Sequence, residues 1–246
     1  MKKLVALLLT LCAIIIPTLS LTGCSIMDGL LDFALDEEEL ESLREENEAL
    51  KEELANLKFE LAFPGGIIDE DAILNSVSRS VPAGEEGDAL QVIGNATVVI
   101  NAGTFDGGNT PAGGVGNTAL WVNSPDAHVI IAGGDFFIGG LAAGDTGHID
   151  LIYVSQGVVE ITGGYFEGAD STVWLLNCKD QFYKDSTASI VVKGGSFVDF
   201  DPSDCISEGE HTNFVAEGYV VECEVFEEGT IYEYRLYTVV KAPEEK

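Results

Sequence analysis

The sequence predicts a mainly β protein: a parallel β-helix of about four turns, closed by a C-terminal β-hairpin and preceded by a long coiled-coil α-helix. Three observations carry that reading. Four segments between Val98 and Phe197 align without gaps, each ending in a Gly-x-Phe corner, and Phe105, Phe136, Phe166 and Phe197 are 31, 30 and 31 residues apart. A fixed period of that size marks a solenoid, whose units bury their apolar faces only against neighbours. Inside each segment apolar positions alternate with polar-tolerant ones, the two-residue period of a strand. Upstream, from Phe33 to Leu61, leucines recur at spacings of three and four, the period of a helix.

Composition bounds the function. The 246 residues carry 42 Asp+Glu against 12 Lys+Arg, a formal charge of -30, and are 46% apolar. Such a chain repels phosphate backbones and anionic lipid, so no nucleic-acid partner is expected. It is too apolar for a disordered acidic tail.

Lys2 and Lys3 precede an apolar run from Leu4 to Ile16 and then Pro17-Thr18-Leu19-Ser20. Residues 1–23 therefore read as a secretory signal, excluded from the fold. Leu21-Thr22-Gly23-Cys24 resembles the lipobox of bacterial lipoproteins. The resemblance implies lipidation of Cys24, cleavage before it and a membrane anchor of several acyl chains, with residues 24–35 as a tether. It places the chain in a bacterial cell envelope: at the outer membrane of a Gram-negative host, or on the outer face of the cytoplasmic membrane of a Gram-positive one. Cys12 leaves with the signal. Cys178, Cys205 and Cys223 remain, as one disulfide with a spare thiol or as buried apolar residues.

Residues 36–62 read as a coiled-coil stalk. With Leu40 at heptad position a, the seam is Leu40, Leu43, Asn47, Leu50, Leu54, Leu57 and Leu61. Arg44, Lys51 and Lys58 fall at e, and Glu39, Glu46 and Glu53 at g, so a parallel in-register pair opposes unlike charges three times. Asn47 at a favours a homodimer, against a trimer or a single helix packed on the next domain. Pro64-Gly65-Gly66 ends the helix, making 63–88 a hinge and lead-in.

Residues 89–205 form the predicted β-helix. The strand before each corner is Val98–Ile100, Val129–Ile131, Val159–Ile161 and Ile190–Val192, and a further strand precedes it at Leu90–Val92, Leu120–Val122, Ile152–Val154 and Trp174–Leu176. The corners Ala102-Gly103-Thr104-Phe105, Gly133-Gly134-Asp135-Phe136, Gly163-Gly164-Tyr165-Phe166 and Gly194-Gly195-Ser196-Phe197 resemble the Gly-Gly-Thr-Phe motif of right-handed parallel β-helices in bacterial and phage surface proteins. The resemblance covers roughly Ala89 to Val240 and implies fold more than activity. Residues 206–246 are the cap, with a hairpin of Tyr219–Phe226 and Ile231–Val240 over the last turn.

Chemistry is sparser. No Lys or Arg lies between Arg79 and Lys179, which counts against a lyase base. A glycosidase needs two carboxylates across a groove, for which Asp126, Asp135, Asp145, Asp150, Glu160, Glu167 and Asp170 are candidates beside the plainer reading of a solvated acidic surface. His128, His148 and His211 have no catalytic or metal spacing. Asp199, Asp201 and Asp204 are close enough to share Ca2+, although Pro202 fits an Asx turn better. With Leu120 and Val122 inward, Trp121 points out, Tyr153 follows one turn later and Leu175 after that. Trp121 and Tyr153 are thus a candidate stacking platform for sugar rings or a protein ligand, unless a loop covers them. The resulting expectation is a lipid-anchored adhesion or carbohydrate-binding protein. The rivals are a polysaccharide-degrading enzyme and a structural envelope spacer.

Overall fold

The computed structural model describes residues 37–169 and 173–243. The expected signal, Cys24 and the tether lie outside these residues. Helix α1 spans Glu37–Ala62, 26 residues rich in Glu, Leu, Lys and Ala with no Gly or Pro. No helix among the described residues is long and apolar enough to cross a membrane.

The chain divides into two units, Met1–Leu54 and Ala55–Lys246, so the boundary falls inside α1 rather than at its end. In the first unit Leu40, Leu43 and Asn47 are half-buried along the helix, and Leu50 and Leu54 are 41% and 47% exposed. Arg44 pairs with Glu41 at 3.5 Å and Lys51 with Glu48 at 2.6 Å, one turn back along the same helix.

In the second unit the last two turns of α1 begin the solenoid. Phe59 and Phe63 are buried in the same core as Ile68, Leu74 and Leu90. Asn56 Oδ1 accepts the Ser78 N–H at 2.8 Å. Pro64–Gly66 is a tight turn packed on the first rung, not a free hinge: a Cβ on Gly66 would lie 2.5 Å from the Ala89 carbonyl.

Each coil has three faces. The first holds β1 (Ile67–Ile68), β4 (Asp88–Val92), the start of β7 (Thr118–Ile131), the start of β9 (Ile149–Ile161) and β11 (Val173–Cys178). The second holds β2 (Ala72–Leu74), β5 (Thr97–Ile100), the ends of β7 and β9, and β12 (Ala188–Val192). The third holds β3 (Arg79–Ser80), β6 (Thr104–Asp106), β8 (Asp135–Ile138), β10 (Tyr165–Gly168) and β13 (Ser196–Val198). Pairing within each face is parallel throughout, giving a β-solenoid of about four turns.

The repeat registers as its period requires. Val98, Val129, Val159 and Ile190 are cross-strand partners, as are Phe105, Phe136, Phe166 and Phe197. The four phenyl rings stack in one buried column with centroids 5.1, 5.1 and 4.7 Å apart. The corners need glycine for two reasons. Gly134 has φ +96°, which a side chain resists, and a Cβ on Gly163 would come within 2.3 Å of the Ala132 carbonyl of the coil below.

One strand assignment needs correcting. The partner of Tyr153 is Asn177, not Leu175, and Leu175 is buried. The residues in register with Ile152-Tyr153-Val154 are therefore Leu176-Asn177-Cys178, not Trp174-Leu175-Leu176. Helix α2 (Asp180–Lys184) is inserted between β11 and β12, so spacing from the glycine corner no longer fixes the frame there.

The last coil is closed on all three faces. Strand β14 (Tyr219–Phe226) and β15 (Tyr234–Lys241) form the expected hairpin, and β15 pairs antiparallel with β13. Val215 bridges to Val192 on the second face. On the first face the Glu208 carboxylate accepts the Cys178 N–H, standing in for the next coil's carbonyl.

Candidate functional site

On the first face, side chains turned away from the core form rows along the stacked rungs. The outward row runs Gln91, Trp121, Tyr153, Asn177, each registered with the next. Trp121 and Tyr153 are therefore neighbours on adjacent rungs, and both are half-buried. The Trp121 indole N–H donates to Ser155 Oγ at 2.8 Å, and that hydroxyl lies 2.8 Å from Asn123 Oδ1. One ring edge is held by hydrogen bonds while the indole remains partly open.

A second outward row, three residues earlier on the strands, sets Thr118, Asp150 and Trp174 beside the first; Asp150 registers with Trp174. His148 stacks on the Trp174 ring, centroids 3.6 Å apart and planes 12° apart. Burial lowers the His148 pKa, partly opposed by the negative charge of Asp180, so the imidazole is neutral at neutral pH. Its 3.7 Å approach to Asp150 is then not an ion pair.

Asp150 and Glu208 give the region its electrostatic character. Burial pushes the Asp150 carboxyl up to about 7, the hydrogen bond from Asn177 Nδ2 at 3.0 Å opposes the rise, and the Glu208 charge adds to it. Burial likewise pushes Glu208 up to about 7, opposed by the Cys178 N–H at 2.5 Å. Tyr153 is raised by burial first and then by Asp150, Glu208 and Asp180, which places its hydroxyl in the same negative field. Tyr153, His148 and Trp174 therefore surround Asp150, whose carboxyl, like that of Glu208, is pushed to about 7, the pattern expected where environment tunes acid groups. Cys178 and Cys205 are buried free thiols and Cys223 an exposed one, so no disulfide joins them.

Next to Trp174 lies a cleft of roughly 470 Å³ lined by Phe200, Asp199, Asp201, Asp204 and Ser207. The three aspartates expected as a Ca2+ candidate border it, but each is engaged locally. Asp199 Oδ1 accepts the Arg235 N–H at 2.7 Å, Asp201 Oδ1 accepts the Ser203 N–H at 2.8 Å as an Asx turn, and Asp204 Oδ1 lies 2.7 Å from His211 Nδ1. Among the described residues no three His, Cys, Asp or Glu side chains converge on a metal position.

Of the other candidate carboxylates, Glu160 pairs with Lys193 at 2.8 Å, Glu167 accepts the Tyr165 hydroxyl at 2.9 Å and Asp145 accepts the Gly113 N–H at 3.0 Å. Asp126 and Asp135 are exposed, and Asp170 lies outside the described residues. Asp150 feels the charge of a further carboxylate, Glu208.

No protein family, curated protein or solved structure matches the chain. The site therefore has to be read from its own chemistry.

The sequence names His148 only as a histidine without catalytic or metal spacing and Trp174 only as the start of a strand, and does not bring them together with Asn177 and Glu208. One signal was present: Glu208 falls 30 residues after Cys178, one repeat period, at the place a fifth rung would occupy.

Proposed function

We propose that the protein is an envelope lipoprotein, anchored through Cys24, whose right-handed β-helix head binds carbohydrate on the outward face around Trp121, Tyr153 and Trp174. The observation that carries this reading is the in-register placement of Trp121 and Tyr153 on adjacent rungs of a rigid sheet, beside hydrogen-bonding groups of Asp150 and Asn177. Flat aromatic faces stack on sugar rings, and the neighbouring polar groups fix hydroxyls. The α1 seam pairs two chains in parallel, which doubles the head and raises avidity on a repetitive polymer.

The test is a glycan array probed with the soluble chain beginning at Ser25. Trp121→Ala and Tyr153→Ala should each lower retention at least about tenfold, the size expected for losing one stacked ring, with thermal melting unchanged. Unaltered retention by both variants would discard the aromatic platform and leave an envelope spacer.

A second reading, a polysaccharide-degrading enzyme, is favoured by Asp150 and Glu208. Both carboxyls titrate near 7, the range in which one can serve as general acid and the other as base. Release of reducing ends from any array glycan, lost in Asp150→Asn, would establish it.

A further inference from the structure

We propose that Asp150, Asn177 and Glu208 form a binding site for a divalent, oxygen-seeking cation, Ca2+ in preference to Mg2+, at the closing end of the solenoid's first face. Asn177 is only 6% exposed, yet its Oδ1 meets no donor, and Glu208 Oε2 is buried with no donor either. Buried polar atoms are almost always paired, so two on groups held at consecutive residues, Asn177 and Cys178, need an explanation.

Both atoms belong to groups anchored on consecutive residues of one strand. The Asn177 amide is fixed through Nδ2 to Asp150 Oδ1 at 3.0 Å, and the Glu208 carboxylate is fixed through Oε1 to the Cys178 N–H. Turning the amide over would set its oxygen against the Asp150 carboxylate, so Oδ1 is the atom left over. Asp150 is on the neighbouring rung, its side chain 15% exposed. No Lys or Arg forms an ion pair with Asp150 or Glu208 among the described residues. The remaining unpaired hydroxyl, Ser207 Oγ, lies beside Cys205 and is not needed.

What is left over is an amide oxygen and two carboxylates with spare oxygens, which are hard donors only. Ca2+ accepts such a mixture in flexible geometry and completes its shell with water, whereas Mg2+ demands a regular octahedron. A cation here would supply the missing partner of both orphan oxygens and tie the 199–214 segment, through Glu208, to the rung beneath. The inference does not depend on the head binding glycans.

The test uses the whole chain from Ser25, stripped with EDTA and titrated with Ca2+, Mg2+ or K+ while thermal melting and calorimetric stoichiometry are followed. Wild type should bind one Ca2+ per chain and melt higher with Ca2+ than with the other ions. Glu208→Gln and Asp150→Asn, which keep the acceptors for Cys178 and Asn177, should lose at least about tenfold in Ca2+ affinity while melting normally in EDTA. A variant with Asp199, Asp201 and Asp204 all changed to Asn should retain binding. Absence of a Ca2+-specific shift in wild type would overturn the proposal. So would full retention by Glu208→Gln and Asp150→Asn, which would mark diffuse attraction to the acidic surface, or loss in the triple variant alone.

Discussion

Phe136 sits between Phe105 and Phe166 with a ring centroid 5.1 Å from each, fully buried. Phe136→Ala removes a side chain whose neighbours belong to other coils and cannot close the gap, so denaturant unfolding should show a loss of about 3–5 kcal/mol. Asp88 makes the opposite case. Burial raises its carboxyl, and the Thr118 hydroxyl at 2.6 Å only opposes the shift. A folded pKa above the unfolded one gives stability that is full at low pH and is lost as pH rises through the folded value. Asp88→Asn keeps the acceptor for Thr118 without the charge, so it should raise the unfolding midpoint at about pH 8 and leave it unchanged at about pH 3. The phenylalanine column was legible in the sequence because each ring meets its own repeat equivalent, so one period specifies every contact. Asn177 was not, because Trp174-Leu175-Leu176 offers apolar residues in either frame and α2 removes the spacing that would choose between them.

Helix α1 turns different faces to the first rung and to solvent. Its last turns turn Asn56 and Phe59, with Phe63 just beyond the helix, to the first rung; these are heptad positions c, f and c. Leu57 and Leu61, at d and a, remain 62% and 86% exposed. Arg79 fastens the contact: it pairs with Glu60, donates from Nε to the Ala89 carbonyl at 2.7 Å and lies 5.6 Å from the Phe59 ring centre. The faces being separate, their mutants should separate too. Leu50→Glu with Leu57→Glu should convert a sedimenting dimer to monomer without changing the melting of the head, whereas Phe59→Ala should lower that melting and leave the dimer intact. A wild-type monomer would discard the pairing. The helix was readable from leucines three and four residues apart. The capping role was hidden, since two phenylalanines four apart on a helix look alike whether they meet a rung, a partner or solvent.

The solenoid is closed at one end by the last two turns of α1 and at the other by the hairpin, the Val215 bridge and Glu208, which leaves its lateral faces open. Over residues 80–178 every Asp, Glu, Lys or Arg on those faces is acidic. No Lys or Arg lies between Arg79 and Lys179, the span that holds Trp121, Tyr153, Asp150 and Trp174, and the chain totals -30. Such a field lowers the local concentration of anions and weakens as salt screens it over about 10 Å at 0.1 M. Stacking and neutral hydrogen bonds feel little of this. In EDTA, uncharged glycans should therefore bind the proposed platform with the same affinity at low and physiological salt. Uronate- or sulfate-bearing glycans of equal length should bind more weakly, the gap narrowing as salt rises. Strong binding of sulfated glycans that falls with added salt would require a basic surface this face does not have, and would move the binding site off the Trp121–Tyr153 row.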